Sequence, residues 1–319
     1  MIPKIVVLDG YTLNPGDLTW DALSAIGSLT VYDRTPAELV VERAREATII
    51  LVNKQIMDAA MLAALPQLRF IGVTATGYNN VDVSAARQRD IAVANVAGYS
   101  TLAVAQHVFA LLLEMTNKVA AHHASVQQGD WSRQADFSYT LGPIVELSSL
   151  RLGIYGFGRI GQAVARVALA LGMQVSAHHK HPQRDALEGV DFVDLPTLFS
   201  TCQVVTLHAP LNTANDQIVN RALLATMPNP GFLINTGRGG LVNEADLRYC
   251  LEQGLLAGAA LDVLRAEPPP PDHPLLSAPN CILTPHMAWA SVSARQRLLA
   301  ESALNVKAFL AGEQRNWVS

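Results

Sequence analysis

Short runs of β-branched and aliphatic residues alternate with stretches of helical periodicity from the start of the chain. IVVL, LTVYD, TIILVN and FIGVTAT read as strands, and DLTWDALSAIG and PAELVVERAREA as helical segments between them. Parallel strands need helical crossovers, and those helices then shield both faces of the sheet, so the predicted fold class is α/β. At Ser100 the pattern changes. A Ser-Thr pair opens STLAVAQHVFALLLEMTNKVAAHHASV, which predicts one unbroken helix of more than twenty residues. A less regular stretch with Gly129, Trp131 and Pro143 follows, and LRLGIYGFGRIGQAVARVALALG then begins a second α/β series. That series continues through MQVSAHH, CQVVTLHAP, GFLINTG and LLAGAALDVL. After Pro285-His286 one more amphipathic helix is predicted from roughly Ser291 to Ala311, stopped by Gly312.

The second series opens with Gly156, Gly158 and Gly161 in G-x-G-x-x-G spacing, directly after an apolar strand and directly before an Ala/Val-rich helix. The glycines permit a tight turn, close approach of backbone to a pyrophosphate, and close packing of helix on strand. A pyrophosphate then sits on the helix N-terminus, where free N–H groups and the helix dipole favour an anion. The predicted cofactor is a dinucleotide, held by the loop Gly156, Phe157, Gly158, Arg159, Ile160 and Gly161.

Three polar clusters follow later apolar strands: Arg238 in NTGRGGLVNE, Glu267 in LDVLRAEPPP and His286 in LTPHMAWAS. A cation, a carboxylate and an imidazole supply what carbonyl reduction needs. The imidazolium can protonate the carbonyl oxygen, the carboxylate can hold the ring and favour its charged form, and the guanidinium can grip a substrate carboxylate. Each residue taken singly is equally well explained as an ordinary loop or structural residue. The three together behind a nucleotide loop are not.

Composition narrows the field. At 319 residues the chain is long enough for two domains, and with half its residues hydrophobic and 16% charged it can fill large cores. A net charge of -4 without a basic run excludes nucleic acid as an expected partner. No apolar stretch approaches the roughly 18 residues of a membrane helix. The opening MIPKIVVLDGY reads as a strand and not as a signal peptide. Cys202, Cys250 and Cys281 are odd in number and set in apolar runs, which predicts buried free thiols and a reducing, cytoplasmic setting. His178, His179 and His181 do not make a metal site, because neighbouring strand residues point to opposite faces; no metal is expected.

Taken along nearly its whole length, the chain resembles the D-isomer-specific 2-hydroxyacid dehydrogenases, and within them the hydroxypyruvate/glyoxylate reductase (glycerate dehydrogenase) branch. The segments that carry the resemblance are FIGVTATGYNNVD, AQHVFALLLE, LGIYGFGRIG, LHAPLN, NTGRGGLVNEADL, LDVLRAEPPPPDHPLL and TPHMAW. It implies two Rossmann-like or flavodoxin-like parallel-sheet domains with a cleft between them: residues 1–99 plus 290–319 as a discontinuous substrate domain, and 100–289 as the dinucleotide-binding domain. It implies a catalytic triad of Arg238, Glu267 and His286, and a homodimer through the region 100–125. The amides of Thr76 and Gly77 match a second grip on the substrate carboxylate, with Lys54 and Trp289 as further substrate-binding candidates. Asp262 matches the residue that contacts the nicotinamide carboxamide, and His208, Ala209, Pro210 and Thr236 line the cofactor. Formate dehydrogenases of similar fold carry Gln where this chain has Glu267, which favours a 2-hydroxy acid enzyme. A dinucleotide-sensing binding protein of the corepressor type is the competing reading, since such proteins can keep the triad.

Two expectations concern selectivity. The acid that reads the ribose 2′-hydroxyl in NAD-specific sites falls here on His179, with Lys180, His181 and Arg184 nearby and no acid before Asp185. NADP(H) is therefore expected to be favoured or at least accepted. Substrates are expected to be short polar 2-oxo acids, hydroxypyruvate and glyoxylate above branched or aromatic ones.

Overall fold

The computed structural model describes residues 2–318, which divide into two compact units. One runs up to Ser100 and resumes at Ala290; the other is Thr101–Trp289. Among the described residues each unit is built on one parallel sheet.

The first sheet comprises β1 (Lys4–Val7), β2 (Ser28–Val31), β3 (Ile49–Val52), β4 (Phe70–Val73) and β5 (Ala92–Ala94), in the order β2-β1-β3-β4-β5. β3 and β4 are buried along their whole length, as a strand covered on both faces must be. The Val292–Leu310 helix, capped by the Ser291 side chain and stopped at Gly312 with φ +78, supplies part of that cover. Its Phe309 packs on Phe70 of β4 with ring centroids 4.9 Å apart, and its Asn305 donates to the carbonyl of Asn95. The helical segments expected between the early strands are single turns, Asp21–Ser24 and Val40–Ala44.

The second sheet comprises β6 (Arg151–Tyr155), β7 (Gln174–His178), β8 (Val190–Phe192), β9 (Val204–Leu207), β10 (Phe232–Asn235), β11 (Gly258–Leu261) and β12 (Cys281–Leu283). Their order is β12-β11-β10-β9-β6-β7-β8, all parallel. The chain steps outward from β6 through β7 to β8 and then returns to the other side of β6, so the order reverses between β6 and β9. Cys202 and Cys250 are buried free thiols, and burial pushes the partly exposed Cys281 up to about 12.

The long helix expected after Ser100 is two helices, Thr101–Asn117 and Val119–Gln127, broken at Lys118, whose φ is +52. The break has a hydrogen-bonding cause. The Thr116 carbonyl, which would accept from Ala120 in a continuous helix, is taken by the amide of Val145. Ala120 donates instead to the Glu114 carboxylate. Among the described residues no helix is long and apolar enough to cross a membrane.

Candidate active site

In the Thr101–Trp289 unit, polar groups gather where strands end at their carboxyl edge. β6 leads into the glycine loop, β7 into His179 and Lys180, β9 into His208, Ala209 and Pro210, and β10 into Thr236 and Arg238. β11 leads into Asp262 and Glu267, and β12 into His286. Open α/β sheets bind ligands outside this edge, at the point where strand order reverses.

The side of the sheet nearest β12 carries the reactive groups. His286 Nδ1 lies 2.6 Å from Glu267 Oε2, while Glu267 Oε1 accepts from the Leu264 amide at 3.0 Å. With Nδ1 turned to the carboxylate, Nε2 is the nitrogen left for chemistry. His286 adopts a left-handed backbone, φ +51, which residues with a Cβ seldom occupy. Its turn is held by Asp262, which is 2% exposed. The Asp262 carbonyl accepts from the His286 amide; Oδ1 accepts from Met287 N at 2.9 Å and Thr284 Oγ1 at 2.6 Å, and Oδ2 from Ala288 N at 2.8 Å. Burial pushes this carboxyl upward. Hydrogen bonds from His107, Thr284 and the two amides outweigh that, and the net direction is downward. The residue expected at the nicotinamide carboxamide thus spends three acceptor positions on the turn that carries His286.

Arg238 follows β10 through a turn built on the fully buried Asn235, whose side chain accepts from Gly237 N and donates to the Arg238 carbonyl. Its guanidinium donates to the Gly237 carbonyl, and among the described residues it forms no salt bridge. A half-buried cation without a carboxylate partner is suited to bind one. Gly239 fits beside it because a Cβ there would stand 2.0 Å from the carbonyl carbon of Leu264. That contact brings the Arg238 turn against the backbone leading to Glu267.

The centre of the edge fits a dinucleotide. Gly156 has φ +97, and a Cβ on it would lie 2.4 Å from Ala209 N; a Cβ on Gly161 would lie 2.4 Å from Gly156 O. Gly158 faces open space, with nothing within 4 Å of where its Cβ would be. It also precedes the Arg159–Ala170 helix without a side-chain cap, so that helix presents its first amides to an anion. His208 Nδ1, after β9, and Thr236 Oγ1, after β10, are buried without a hydrogen-bond partner among the described residues. Burial pushes His208 down to about 3, so its imidazole is neutral at physiological pH.

At the end of β7 the chain supplies an acid that spacing alone did not place there. His179 accepts from the Phe157 amide on Nδ1 at 3.2 Å, and its Nε2 meets Asp185 Oδ2 at 2.7 Å. Arg184 also pairs with Asp185, and these two partners, Arg184 first, hold the Asp185 carboxyl down at about 2. Of the expected phosphate donors, His179 and Arg184 are therefore engaged, His181 stands edge-on to the His179 ring, and among the described residues no such contact occupies Lys180.

The model of the D-isomer specific 2-hydroxyacid dehydrogenase NAD-binding domain matches residues 109–288. The chain belongs to that family. The hydroxypyruvate reductase of Blautia hydrogenotrophica is 43% identical over 99% of this chain and 99% of its own length. The glycerate dehydrogenase of Methylorubrum extorquens is 39% identical over 100% and 99%. An NADPH-dependent glyoxylate/hydroxypyruvate reductase from Sinorhizobium meliloti, solved with NADP and malonate, superposes with a TM-score of 0.85 at 31% identity, covering 100% of this chain and 97% of that one. This D-2-hydroxyacid dehydrogenase is accordingly an NAD(P)-dependent oxidoreductase.

Of the remaining predicted residues of the dehydrogenase, Lys54, Thr76 and Gly77 belong to the other unit and Trp289 to this one. Lys54 follows β3 and is exposed, its amide held with those of Asn53 and Gln55 by the Asp9 carboxylate. Thr76 and Gly77 follow β4, and the Asn95 side chain donates to the Thr76 carbonyl at 2.6 Å. Trp289, half-buried, closes the Thr101–Trp289 unit. Sequence reading missed several supporting groups. Glu244 accepts from the Arg265 amide and from His273 Nε2, bracketing the segment that holds Glu267. His107 and Gly239 were likewise unmarked, because partners distant in sequence define them; Asn235, whose partners Gly237 and Arg238 are local, was unmarked as well.

Proposed function

We propose that the enzyme reduces short, polar 2-oxo acids, hydroxypyruvate and glyoxylate, to D-2-hydroxy acids with NADPH or NADH. The observation that carries the reading is the 2.6 Å contact of His286 Nδ1 with Glu267, on the same strand edge as an Arg238 that has no carboxylate partner among the described residues. When bound, the dihydronicotinamide supplies the hydride to the carbonyl carbon. His286 gives its Nε2 proton to the carbonyl oxygen as the hydride arrives, Glu267 stabilises the imidazolium before that transfer, and Arg238 binds the substrate carboxylate. General acid catalysis of this kind contributes about 10²- to 10⁴-fold.

Gly156, Gly158 and Gly161 hold the pyrophosphate in this reading, with His208, Ala209, Pro210 and Thr236 along the cofactor. Lys54, Thr76, Gly77 and Trp289 are the further substrate contacts. Residues 100–125 form a homodimer face, supported by the exposure of Leu102 and Val119. A panel of small 2-oxo acids assayed with both reduced cofactors tests the proposal. Hydroxypyruvate and glyoxylate should give the highest kcat/KM. Faster turnover of phenylpyruvate overturns the substrate assignment, and dinucleotide binding without turnover of any 2-oxo acid overturns catalysis in favour of a sensing role.

A further inference from the structure

The Thr101–Asn117 helix sends one polar side chain to the turn of His286. His107 Nε2 lies 3.1 Å from Thr284 Oγ1 and 3.5 Å from Asp262 Oδ1, and the ring is 15% exposed. The direction of these contacts follows from counting protons. Thr284 has one hydroxyl proton, and the 2.6 Å contact with Asp262 Oδ1 uses it, because a carboxylate can only accept. Thr284 Oγ1 is then an acceptor toward His107. The Nε2 of His107 must carry hydrogen, and it bridges the hydroxyl and the carboxylate.

That bridge closes a network around a backbone conformation that does not hold itself. His286 sits at φ +51, and the groups fixing it are Asp262 and residues 284–288. Within this set the Asp262 carboxylate is nearly inaccessible to water, so its orientation depends on the donors around it. Three of those donors, Thr284, Met287 and Ala288, belong to the turn being positioned. His107 comes from elsewhere. Its helix is anchored by Val108, Leu111 and Leu112, all buried in the core of this unit. It therefore ties the turn to a rigid element, which is what precise placement of a reacting group requires.

We infer that His107 is a positioning residue for the reduction: through Thr284 and Asp262 it sets the placement of His286 without touching substrate. The inference rests on the reading of His286 as proton donor. A misplacement of about 1 Å at a reacting group costs up to about a hundredfold, so loss of the bridge should lower kcat by ~10- to 100-fold.

Two substitutions separate the donor from the volume of the ring. In His107→Gln the amide nitrogen falls near the position of Nε2; in His107→Asn it is too short to reach. The Asn variant should lose kcat, with KM for the oxo acid and Kd for NADPH within about twofold of wild type. The Gln variant should recover most of the loss. Thr284→Val, nearly isosteric, removes the same bridge without changing the helix and should reproduce the Asn phenotype, which keeps the test decisive if the Asn variant is poorly folded. Wild-type kcat in both His107→Asn and Thr284→Val overturns the inference, as does a Gln variant as slow as Asn. His286→Ala, measured beside them, keeps the two questions apart. If it retains wild-type kcat, the reading of His286 fails. If it is inactive while the position-107 and position-284 variants are normal, only the role of His107 fails.

Discussion

Asp185 lies six residues beyond His179 in sequence, and its carboxylate returns to within 2.7 Å of the His179 Nε2. Nδ1 of the same ring accepts from Phe157 N–H. An ionised carboxylate therefore stands at the end of β7, beside the His179 ring.

The Asp185 carboxylate opposes a 2′-phosphate, so the expectation about cofactor rests on Lys180. The wild type should accept NADPH at least as well as NADH, with Lys180 as the available cation. Lys180→Ala should raise the Kd for NADPH severalfold and leave NADH unchanged. Asp185→Asn frees Arg184 and removes the negative charge, so it should tighten NADPH relative to NADH. Fluorescence titration with both cofactors reads each change directly. A wild type that prefers NADH by tenfold or more contradicts the assignment.

For the triad, His286→Ala should lower kcat by about 10²- to 10⁴-fold, and Arg238→Ala should raise KM as well as lower kcat. Glu267→Gln leaves an acceptor for Nδ1 but removes the charge that favours the imidazolium. The variant should therefore lower kcat with little change in KM. Steady-state rates across the pH range check all three, and near-normal turnover in His286→Ala removes it from the mechanism.

His208 couples the cofactor edge to acid stability. Its imidazole is pushed by burial to about 3, against an unfolded value near 6.5. Between those values the unfolded chain binds the proton and the native state does not, so stability falls as pH drops through that window. His208→Gln should flatten the dependence of the apoenzyme Tm on pH between 6.5 and 4. A slope identical to wild type contradicts the burial of a neutral ring there.

Asp262→Asn tests the clamp on the His286 turn. An amide oxygen can replace one carboxylate oxygen, but its NH₂ faces the amide of Met287 or Ala288, so at least one hydrogen bond to a charged acceptor is lost, worth about 1.5–3 kcal/mol. Because the folded carboxyl is held below its ordinary value, its stabilisation is present at neutral pH and lost as pH falls through that lowered value. The variant should therefore have a lower Tm at pH 7 and a smaller difference from wild type in acid. A Tm equal to wild type at pH 7 contradicts the clamp.

The fold class was readable because parallel strands buried on both faces must be largely apolar, and β3, β4 and β11 are continuous apolar runs while β9 and β10 each carry a single polar residue. The glycine loop was readable from its spacing between an apolar strand and a helix, although only Gly161 answers to a contact within that strand-turn-helix, while Gly156 answers to the approach of Ala209 and Gly158 faces open space. What escaped was set by contacts that no local periodicity or spacing signals. Val145 ends the helix at Asn117 by taking the Thr116 carbonyl, and no periodicity within the helix signals it. Asp185 was counted as too distant to act at the end of β7, because spacing along a chain does not reveal a loop that turns back.

The division of the chain at Ser100 and Ala290 fixes an order of events at the ribosome. The helix that covers β4 through Phe309 is translated after the Thr101–Trp289 unit, so the sheet whose strands are made first cannot be completed until that whole unit has emerged. The uninterrupted middle unit can finish folding while its neighbour still waits, reversing the usual sequence in which N-terminal parts mature first. Nascent chains stalled before residue 290 should therefore carry a protease-resistant nucleotide-binding unit joined to an N-terminal sheet that is still open to cleavage.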